Sequence, residues 1–484
     1  MPAAGPTTDA AQRDRPPHVR ELQAPALALR ALTARDPRRY PVLLDSISGG
    51  SLARSTILPR VTGDALWLDA KGQLCATGSA RPFVRAATGF LEALDAWWRS
   101  EASEYPAVES GAAPWHGGFV VFLGYELAGE VEPRLAAVLP PAPAAIGAFA
   151  LRAQAALVFD HVESRMLAAA EAGCEAGLDA IAKDLLQVRH ASADPGTSGL
   201  RPALLSGPLV EDDPQEFIDG VIAAQRHIAQ GDVYQVNLSR GWKTTVATDR
   251  TGVVRIYQAL CSSNPAPFAV LASWGGLDLL SSSPERLLRI ARGIVSSRPI
   301  AGTRPRERYA AIATADAERV AAANLIANPK ERAEHVMLID LERNDLGRVC
   351  EAGTVCVTEF MTVESYAHVH HIVSNVEGRL RPGTTPVQAL RAVFPGGTIT
   401  GCPKIRSMEI IAGLERCGRG PYTGSIGVLG LDGSADFNIL IRTISISGDQ
   451  LSVRAGAGIV ADSDPVRELE ETRAKARGVL AALA

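Results

Sequence analysis

The segment VLASWGGLDLLSSS (residues 270–283) has two strand-like apolar runs on either side of a Gly-Gly pair. Similar β-rich runs recur at residues 294–302, 443–448 and 451–460, and the rest of this half of the chain contains helical patterns. Antiparallel strands can be joined by short glycine turns, whereas parallel strands need a long crossover. The sequence therefore predicts antiparallel sheets rather than regular βαβ units.

Changes in composition along the chain predict its organisation. Residues 1–24 contain Pro, Arg and Asp without an apolar run, so we expect a disordered N-terminal tail. Residues 191–210 are rich in Ser, Gly, Pro and Asp, which is typical of a linker. We therefore predict an N-terminal region over residues 25–190 and a larger C-terminal domain over residues 211–484.

The overall composition is that of a soluble globular protein, with 46% hydrophobic and 21% charged residues among 484. The 49 Lys and Arg residues are outnumbered by 53 Asp and Glu residues, so no broad basic surface for nucleic acid is expected. Seven cysteines without a CxxC pair argue against a disulfide scaffold or a structural zinc site. No signal peptide and no stretch of about 18 apolar residues occur, so we expect a cytoplasmic protein without a membrane span.

Two helical segments each carry a pair of carboxylates. Glu331 and Glu334 are three residues apart and share one helix face. Glu468, Glu471 and Lys475 form a second stripe at i, i+3 and i+7 in the last helix. Either stripe could be a solvated acidic face, but together they could hold one Mg²⁺, which prefers oxygen ligands.

Two glycine-rich segments offer further candidates for binding. FPGGTITGCPKIRSMEII (residues 394–411) places a turn and Lys404 ahead of an apolar helix, which suits either an anion site or a tight structural turn. Gly456 and Gly458 lie in a strand-like run, where glycine marks a bulge or the close approach of a ligand. From such general patterns we expect a Mg²⁺-dependent enzyme that acts on an anionic substrate.

The histidine-rich segment SYAHVHHIVS (residues 365–374) is a weaker candidate. Adjacent residues of a strand point to opposite faces, so His370 and His371 cannot both line one pocket. The chain has no GxSxG, HExxH or GxGxxG motif in the required context. General motifs therefore do not identify the reaction.

In these same segments the chain resembles the chorismate-utilising enzymes, which include anthranilate synthase component I, aminodeoxychorismate synthase component I, and the isochorismate and salicylate synthases. This resemblance implies an α+β fold of two antiparallel β-sheets packed as a sandwich with helices on the outside, and it makes residues 211–484 the chorismate-binding catalytic domain. The matching motifs, in order from about residue 210, are GDVYQVNLS, SSSPER, RPIAGTRPR, ERAEHVMLIDLERNDLGRV, HHIVSNVEG, FPGGTITGCPKIRSMEII, IRT, AGAGIVADSDP and EETRAKA.

The resemblance also implies roles for individual residues. Glu334 and Glu471 would bind Mg²⁺, with Glu331 and Glu468 in support, and the ion would hold the ring carboxylate of chorismate. Glu285 would be the general acid that protonates the departing C4 hydroxyl. The remaining matched pocket residues are Tyr422, Arg442, Gly458 and Lys475 for the carboxylates of the substrate, and Thr303, His371 and Thr398.

Gln235 and Ala301 bear on which member of the family the chain is. Members that add water carry a lysine base where this chain has Gln235, so ammonia is the expected nucleophile. The VNLS, SPER, GGTITGCPK and NPAPF motifs resemble aminodeoxychorismate synthase component I, which makes 4-amino-4-deoxychorismate for p-aminobenzoate and folate synthesis. Ala301 favours the alternative, anthranilate synthase component I, because many aminodeoxychorismate synthases have a nucleophilic lysine there. We weigh the four motifs above this one position.

Two further expectations concern regulation and partners. Ser46, Asn264, Pro265 and Phe268 match a tryptophan pocket of anthranilate synthases, but the NPAPF segment lacks its serine and tyrosine, so strong feedback is not expected. No cysteine lies in a segment typical of a glutaminase nucleophile. We therefore expect a separate glutamine amidotransferase subunit to supply the ammonia.

Overall fold

The computed structural model describes residues 17–48, 54–102, 114–189, 205–247, 249–305, 327–365 and 369–483. Its helices are α1 (Leu27–Arg35), α2 (Arg81–Val84), α3 (Phe90–Ala102), α4 (Ala128–Val131), α5 (Pro133–Ala136), α6 (Ala176–Arg189), α7 (Pro214–Ala229), α8 (Arg250–Ser263), α9 (Pro329–Gly347), α10 (Pro386–Val393), α11 (Lys404–Glu415) and α12 (Pro465–Leu480). None of the helices in the described ranges is long and apolar enough to cross a membrane.

The strands are β1 (His18–Leu22), β2 (Val42–Asp45), β3 (Ser55–Asp69), β4 (Leu74–Thr77), β5 (Gly118–Leu123), β6 (Ile146–Asp160), β7 (Arg165–Ala170), β8 (Val210–Glu211), β9 (Gln235–Thr245), β10 (Phe268–Trp274), β11 (Leu277–Ser283), β12 (Arg286–Ala291), β13 (Ile294–Ser297), β14 (Ile300–Pro305), β15 (Cys356–Ser365), β16 (Val369–Arg379), β17 (Gly401–Cys402), β18 (Ser425–Gly430), β19 (Ala435–Asn438), β20 (Thr443–Ser447) and β21 (Gln450–Ile459).

These strands form one hydrogen-bonded antiparallel sheet. Its main order is β15-β16-β13-β12-β19-β18-β5-β6-β3-β2-β10-β11-β20-β21-β9. Residues 270–283 form a β-hairpin: Trp274 pairs with Leu277, and Gly275 and Gly276 have φ of 61° and 82°. Antiparallel pairing is therefore confirmed, whereas the hydrogen bonds do not divide the strands into two separate sheets. The two-sheet sandwich remains a prediction.

The sheet buries apolar residues on both faces. Phe122 of β5 and Ile426 of β18 belong to the same buried cluster as Val270 of β10 and Leu279 of β11. The first two strands lie far from the last two in the strand order of the sheet. A second cluster joins β-strand residues to α1, α6, α8 and α12, and a third joins them to α3, α9 and α10. Most of the longer helices therefore cover the outside of the sheet.

Strands from either side of residues 191–210 pair with one another. β2 pairs with β10 and β5 pairs with β18, so the predicted N-terminal region and catalytic domain share one sheet. The tail predicted for residues 1–24 needs correction at its end, because His18–Leu22 forms β1 and pairs with β7. Its side chains are mostly exposed, so main-chain hydrogen bonds and an ion pair between Arg20 and Asp179 hold this edge strand in place.

Two helices that carry the predicted acidic stripes are anchored by their buried faces. On α9, His335 is fully buried and its Nε2 lies 2.7 Å from the Ser374 hydroxyl of β16. On α12, the Asp464 carboxylate accepts a hydrogen bond of 2.8 Å from the backbone of Arg467, which caps the helix. Leu469 and other apolar residues of α12 pack inward. These contacts set the direction of the acidic faces of both helices.

Candidate active site

Strands β9 and β21 and helix α9 meet around Gln235. Gln235 and Asn237 are two residues apart on β9 and therefore face the same side of the sheet. The Gln235 Nε2 donates a hydrogen bond of 2.9 Å to Glu334 Oε1. A side chain on Gly458 of β21 would begin 2.3 Å from this nitrogen. Gly458 is thus approached closely by a neighbouring side chain, and the approach of a ligand remains a prediction.

The carboxylates of α9 and α12 lie close enough to influence one another. Burial raises the pKa of Glu334, and the charges of Glu331 and Glu471 raise it further, whereas Gln235 and Lys475 lower it. The structure therefore brings the two predicted acidic stripes to one place.

Lys475 connects the second stripe to the sheet. Its Nζ lies 2.8 Å from Glu471 Oε1 and donates a hydrogen bond of 3.0 Å to the carbonyl of Gly456. Both side chains are roughly half exposed, with 42% for Lys475 and 49% for Glu471. They therefore line the open side of the site, where an anionic substrate could reach the ammonium group.

The donor set fits Mg²⁺. Within the described ranges, no three His, Cys, Asp or Glu side chains are close enough to form a complete metal site. Mg²⁺ is usually held by one or two carboxylates together with water and substrate oxygens. Glu334 and Glu471 offer two such carboxylates from different helices. Glu468 lies one turn before Glu471 on α12 and is half-buried, and its supporting role remains a prediction.

Glu285 lies between β11 and β12 and is buried. Burial raises the pKa of its carboxyl to about 7, with a further rise from Glu342, while the Thr398 hydroxyl and the backbone of Ile300 oppose this rise. A carboxylic acid that keeps its proton near neutral pH can act as a general acid. The position next to Ile300 also brings Glu285 close to the backbone of Ala301.

Two buried amide oxygens around these residues lack a hydrogen-bond partner in the described structure. They are Gln235 Oε1 and Asn237 Oδ1. An unsatisfied buried polar atom costs roughly 1–3 kcal/mol, and native proteins contain few of them. A polar ligand bound at this site could supply the hydrogen bonds that these two oxygens lack.

Tyr422 forms another wall of the site. A side chain on Gly456 would begin 2.8 Å from the Tyr422 hydroxyl. Burial raises the pKa of Tyr422 to about 12, so the phenol stays protonated. The Arg419 guanidinium lies 4.8 Å from the ring centroid of Tyr125 and 5.6 Å from that of Tyr422, which positions Tyr422.

Arg419 belongs to a buried ionic network that the sequence did not reveal. Its Nη2 lies 2.6 Å from Glu415, and Arg454 contacts the other oxygen of that carboxylate at 3.0 Å. The two arginines hold the pKa of Glu415 below its usual value despite burial. Glu415 is only four residues before Arg419, but Arg454 comes from β21, so the fold completes the network.

The remaining predicted pocket residues are placed as follows. Thr303 of β14 pairs with His371 of β16, and Ala301 pairs with Ile372. His371 and Ala301 are buried, whereas the side chain of Thr303 lies outside the described residues. The Arg442 backbone has φ of 51°, and its carbonyl accepts a hydrogen bond of 3.1 Å from Ser282.

The structure gives Lys404 a different environment from the predicted anion site. Its ammonium group forms an ion pair with the buried Asp345 and donates a hydrogen bond of 3.1 Å to the carbonyl of Val393. This arrangement does not support a substrate-binding role for Lys404. Asp345 is 59 residues away in the chain, so its pairing with Lys404 could not be read from the turn motif.

The segments of the predicted tryptophan pocket do come together. Ser46 Oγ donates hydrogen bonds of 2.9 Å to the carbonyl of Ser55 and 3.1 Å to that of Pro267. Asn264 Nδ2 donates one of 3.3 Å to the carbonyl of Ser282. Pro265 lies in the connection between α8 and β10, and Phe268 is the first residue of β10. Whether the pocket binds tryptophan remains a prediction.

Known proteins resemble this chain in sequence. A family model described as chorismate binding enzyme matches residues 65–481. Anthranilate synthase component 1 of Streptomyces coelicolor is 41% identical over 403 residues, which cover 80% of this chain and 76% of that protein. Aminodeoxychorismate synthase component 1 of Bacillus subtilis is 46% identical over 278 residues, 57% of each chain.

The fold also matches a solved structure. The crystal structure of anthranilate synthase component I from Streptococcus pneumoniae superposes with a TM-score of 0.72 at 30% identity. The match covers 89% of this chain and 93% of that one. The mixed helix and strand fold described above is therefore shared by a relative over nearly its whole length.

Proposed function

The chain belongs to the chorismate-binding enzyme family, and on that premise we propose that it aminates chorismate at C4 to give 4-amino-4-deoxychorismate. The observation that carries this choice is the position of Asn237. The VNLS motif, which resembles the aminodeoxychorismate branch, places the side chain of Asn237 beside Thr398, Gly456 and Gly458. A polar group at this point can act directly on the reactants.

Glu285 would carry out the proton transfers of the reaction. Its carboxyl group donates a proton to the C4 hydroxyl, so that the C4–O bond breaks and water leaves. The ammonia lone pair forms the C4–N bond, and the resulting ammonium group returns one proton to the Glu285 carboxylate. Ammonia therefore replaces water with no change in oxidation state.

The other residues would bind and orient the substrate. Glu334 and Glu471 would hold Mg²⁺, which supplies charge neutralisation for the ring carboxylate when it is bound. Lys475 at the open side of the site would bind a substrate carboxylate. Gln235 offers no base for activating water, which supports ammonia as the nucleophile. We propose that a separate glutamine amidotransferase subunit supplies this ammonia.

Anthranilate synthase component I is the second candidate. The similarity to the Streptomyces coelicolor protein favours it, and so does Ala301, which provides no nucleophile for a covalent intermediate. Amination at C2 with loss of pyruvate would use the same acid and the same metal site. The two candidates therefore differ in where nitrogen is delivered.

Product analysis distinguishes them. The purified chain is incubated with chorismate, Mg²⁺ and ammonium at mildly alkaline pH, and the products are separated with and without added aminodeoxychorismate lyase. We expect a product that the lyase converts to p-aminobenzoate. Fluorescent anthranilate that forms without the lyase would identify the second candidate instead.

The metal assignment is tested with Glu334→Gln. This change keeps the shape of the side chain but removes a charged ligand, so we expect the Mg²⁺ concentration for half-maximal activity to rise at least about tenfold. Mg²⁺ binding measured calorimetrically in the presence of chorismate should weaken in parallel. Glu470→Gln is the matched control, because Glu470 is on α12 but pairs with Arg473 at the surface. An unchanged Mg²⁺ requirement in the Glu334→Gln variant would remove the assignment.

A further inference from the structure

Asn237 has a defined orientation in the centre of the site. Its backbone N–H donates a hydrogen bond of 2.9 Å to the carbonyl of Thr400, and its Nδ2 donates one of 3.3 Å to the carbonyl of Thr398. A carbonyl can only accept hydrogen bonds, so the amide nitrogen must face Thr398. The amide oxygen therefore points to the opposite side.

This oxygen lies close to the backbone of Gly456. Asn237 Oδ1 is buried and has no hydrogen-bond donor in the described structure. A side chain on Gly456 would begin 2.8 Å from Asn237 Oδ1 and also 2.8 Å from the Tyr422 hydroxyl. A side chain at Gly456 would collide with both polar groups, so glycine is required at this position.

The missing partner must be a hydrogen-bond donor, because a carboxamide oxygen can only accept. Chorismate carries two carboxylates and an enol ether, which are acceptors, and its only donor is the C4 hydroxyl. The proposed reaction brings one further donor into the site, the ammonia molecule with its three N–H bonds. These two groups are therefore the candidates for the bond with Asn237.

We propose that Asn237 Oδ1 accepts a hydrogen bond from the incoming ammonia and holds it for attack on the ring. This inference rests on the proposed amination of chorismate. An N–H bond to Asn237 leaves the nitrogen lone pair free, so the acceptor orients the nucleophile without consuming its reactivity. Glu285, as the acid, remains with the departing C4 oxygen. Asn237 thus binds the nucleophile, and Glu285 activates the leaving group.

Asn237→Val tests the assignment. Valine removes the acceptor, has a similar size and suits a strand. Initial rates are measured with ammonium varied at saturating chorismate and Mg²⁺, and then with chorismate varied at saturating ammonium. We expect the KM for ammonia to rise at least about tenfold, while the KM for chorismate stays within about twofold. Asn375→Val is the matched control, because Asn375 is a strand asparagine that bonds Thr358 and Glu377, and both constants should stay unchanged.

Other outcomes would overturn the inference. A rise in the KM for chorismate alone would assign Asn237 to the C4 hydroxyl, and unchanged constants would remove it from the reaction. If the valine variant does not fold, as judged by circular dichroism, Asn237→Ser removes the carboxamide without adding apolar volume, and the same rise in the KM for ammonia is expected.

The product of the wild-type chain separates this inference from the proposed function. A wild-type protein that makes anthranilate, together with an Asn237→Val variant that binds ammonia weakly, would refute C4 amination and leave Asn237 as the ammonia site. The reverse combination, aminodeoxychorismate from the wild type and an unchanged KM for ammonia in the variant, would refute only the role of Asn237.

Discussion

Replacing Glu285 by glutamine should lower activity and raise stability at alkaline pH. The ordinary pKa of a glutamate is 4.5, and burial raises that of Glu285 to about 7. Each pKa unit corresponds to about 1.4 kcal/mol, so the ionised Glu285 should destabilise the folded protein by roughly 3 kcal/mol. Glutamine has nearly the same shape and no charge, and therefore avoids this cost.

The sign of the pH dependence follows from proton binding. Below the unfolded-state pKa, both states of the wild-type protein hold the proton, and its carboxyl causes no penalty. As the pH rises from 4.5 towards about 7, the unfolded state releases its proton while the folded state keeps it, so the wild type loses stability. The loss is complete above the folded-state pKa. The stability advantage of Glu285→Gln should therefore be near zero at acidic pH and largest under alkaline conditions.

Thermal unfolding measures this difference. The entropy of unfolding is about 2.1 cal/mol/K per residue, or about 1 kcal/mol/K for a chain of this length unfolding as one unit, so a stability gain of roughly 3 kcal/mol raises Tm by about 3 °C. In parallel, kcat should fall about 10²- to 10⁴-fold through loss of the general acid. Tm is recorded across the pH range without chorismate and Mg²⁺, and kcat with both.

Glu342→Gln is the matched control. Burial and Asp345 also raise the pKa of Glu342, so this variant should gain stability at alkaline pH yet keep kcat within a few-fold. It also removes a charge that raises the pKa of Glu285, so the pH at which activity declines should shift downwards. The reasoning would be refuted if Glu285→Gln kept most of its activity, or if its Tm advantage did not grow with pH.

Two further variants test the packing around the site. In Gly458→Ala the new carbon would lie 2.3 Å from the amide nitrogen of Gln235, so kcat/KM for chorismate should fall at least about tenfold. The control is Gly413→Ala, in open space on a helix, which should leave the kinetics unchanged and stabilise the protein by up to about 1 kcal/mol. Equal kinetics in both variants would contradict the close approach at Gly458. Arg419→Met removes one of the two arginines that contact the buried Glu415, so it should destabilise the folded protein by about 3–5 kcal/mol. This loss should lower Tm by several degrees. An unchanged Tm would show that the ion pair between Arg419 and Glu415 contributes little to stability.

Local patterns in the sequence were sufficient for several features. The Gly-Gly hairpin at residues 275–276 followed from turn chemistry, because few other residues adopt positive φ at low cost. The i, i+3 spacing placed Glu331 and Glu334 on one face of a helix that the structure confirms. Each of these features depends on residues that are near one another in the chain.

Other features depended on contacts between distant segments. The carboxyl of Glu285 has a raised pKa because strands and loops from several parts of the chain bury it. The turn before Lys404 was suited either to an anion site or to a structural turn, and the fold pairs Lys404 with Asp345.

The sequence by itself determined the antiparallel strands, the acidic helix faces and the resemblance to chorismate-utilising enzymes, because periodicity, turn residues and motifs are local properties of the chain. Only the tertiary structure decided which polar atoms stay buried without partners, among them Asn237 Oδ1. The physical reason is that burial and hydrogen-bond satisfaction depend on every segment that surrounds an atom, and those segments come together only when the chain has folded.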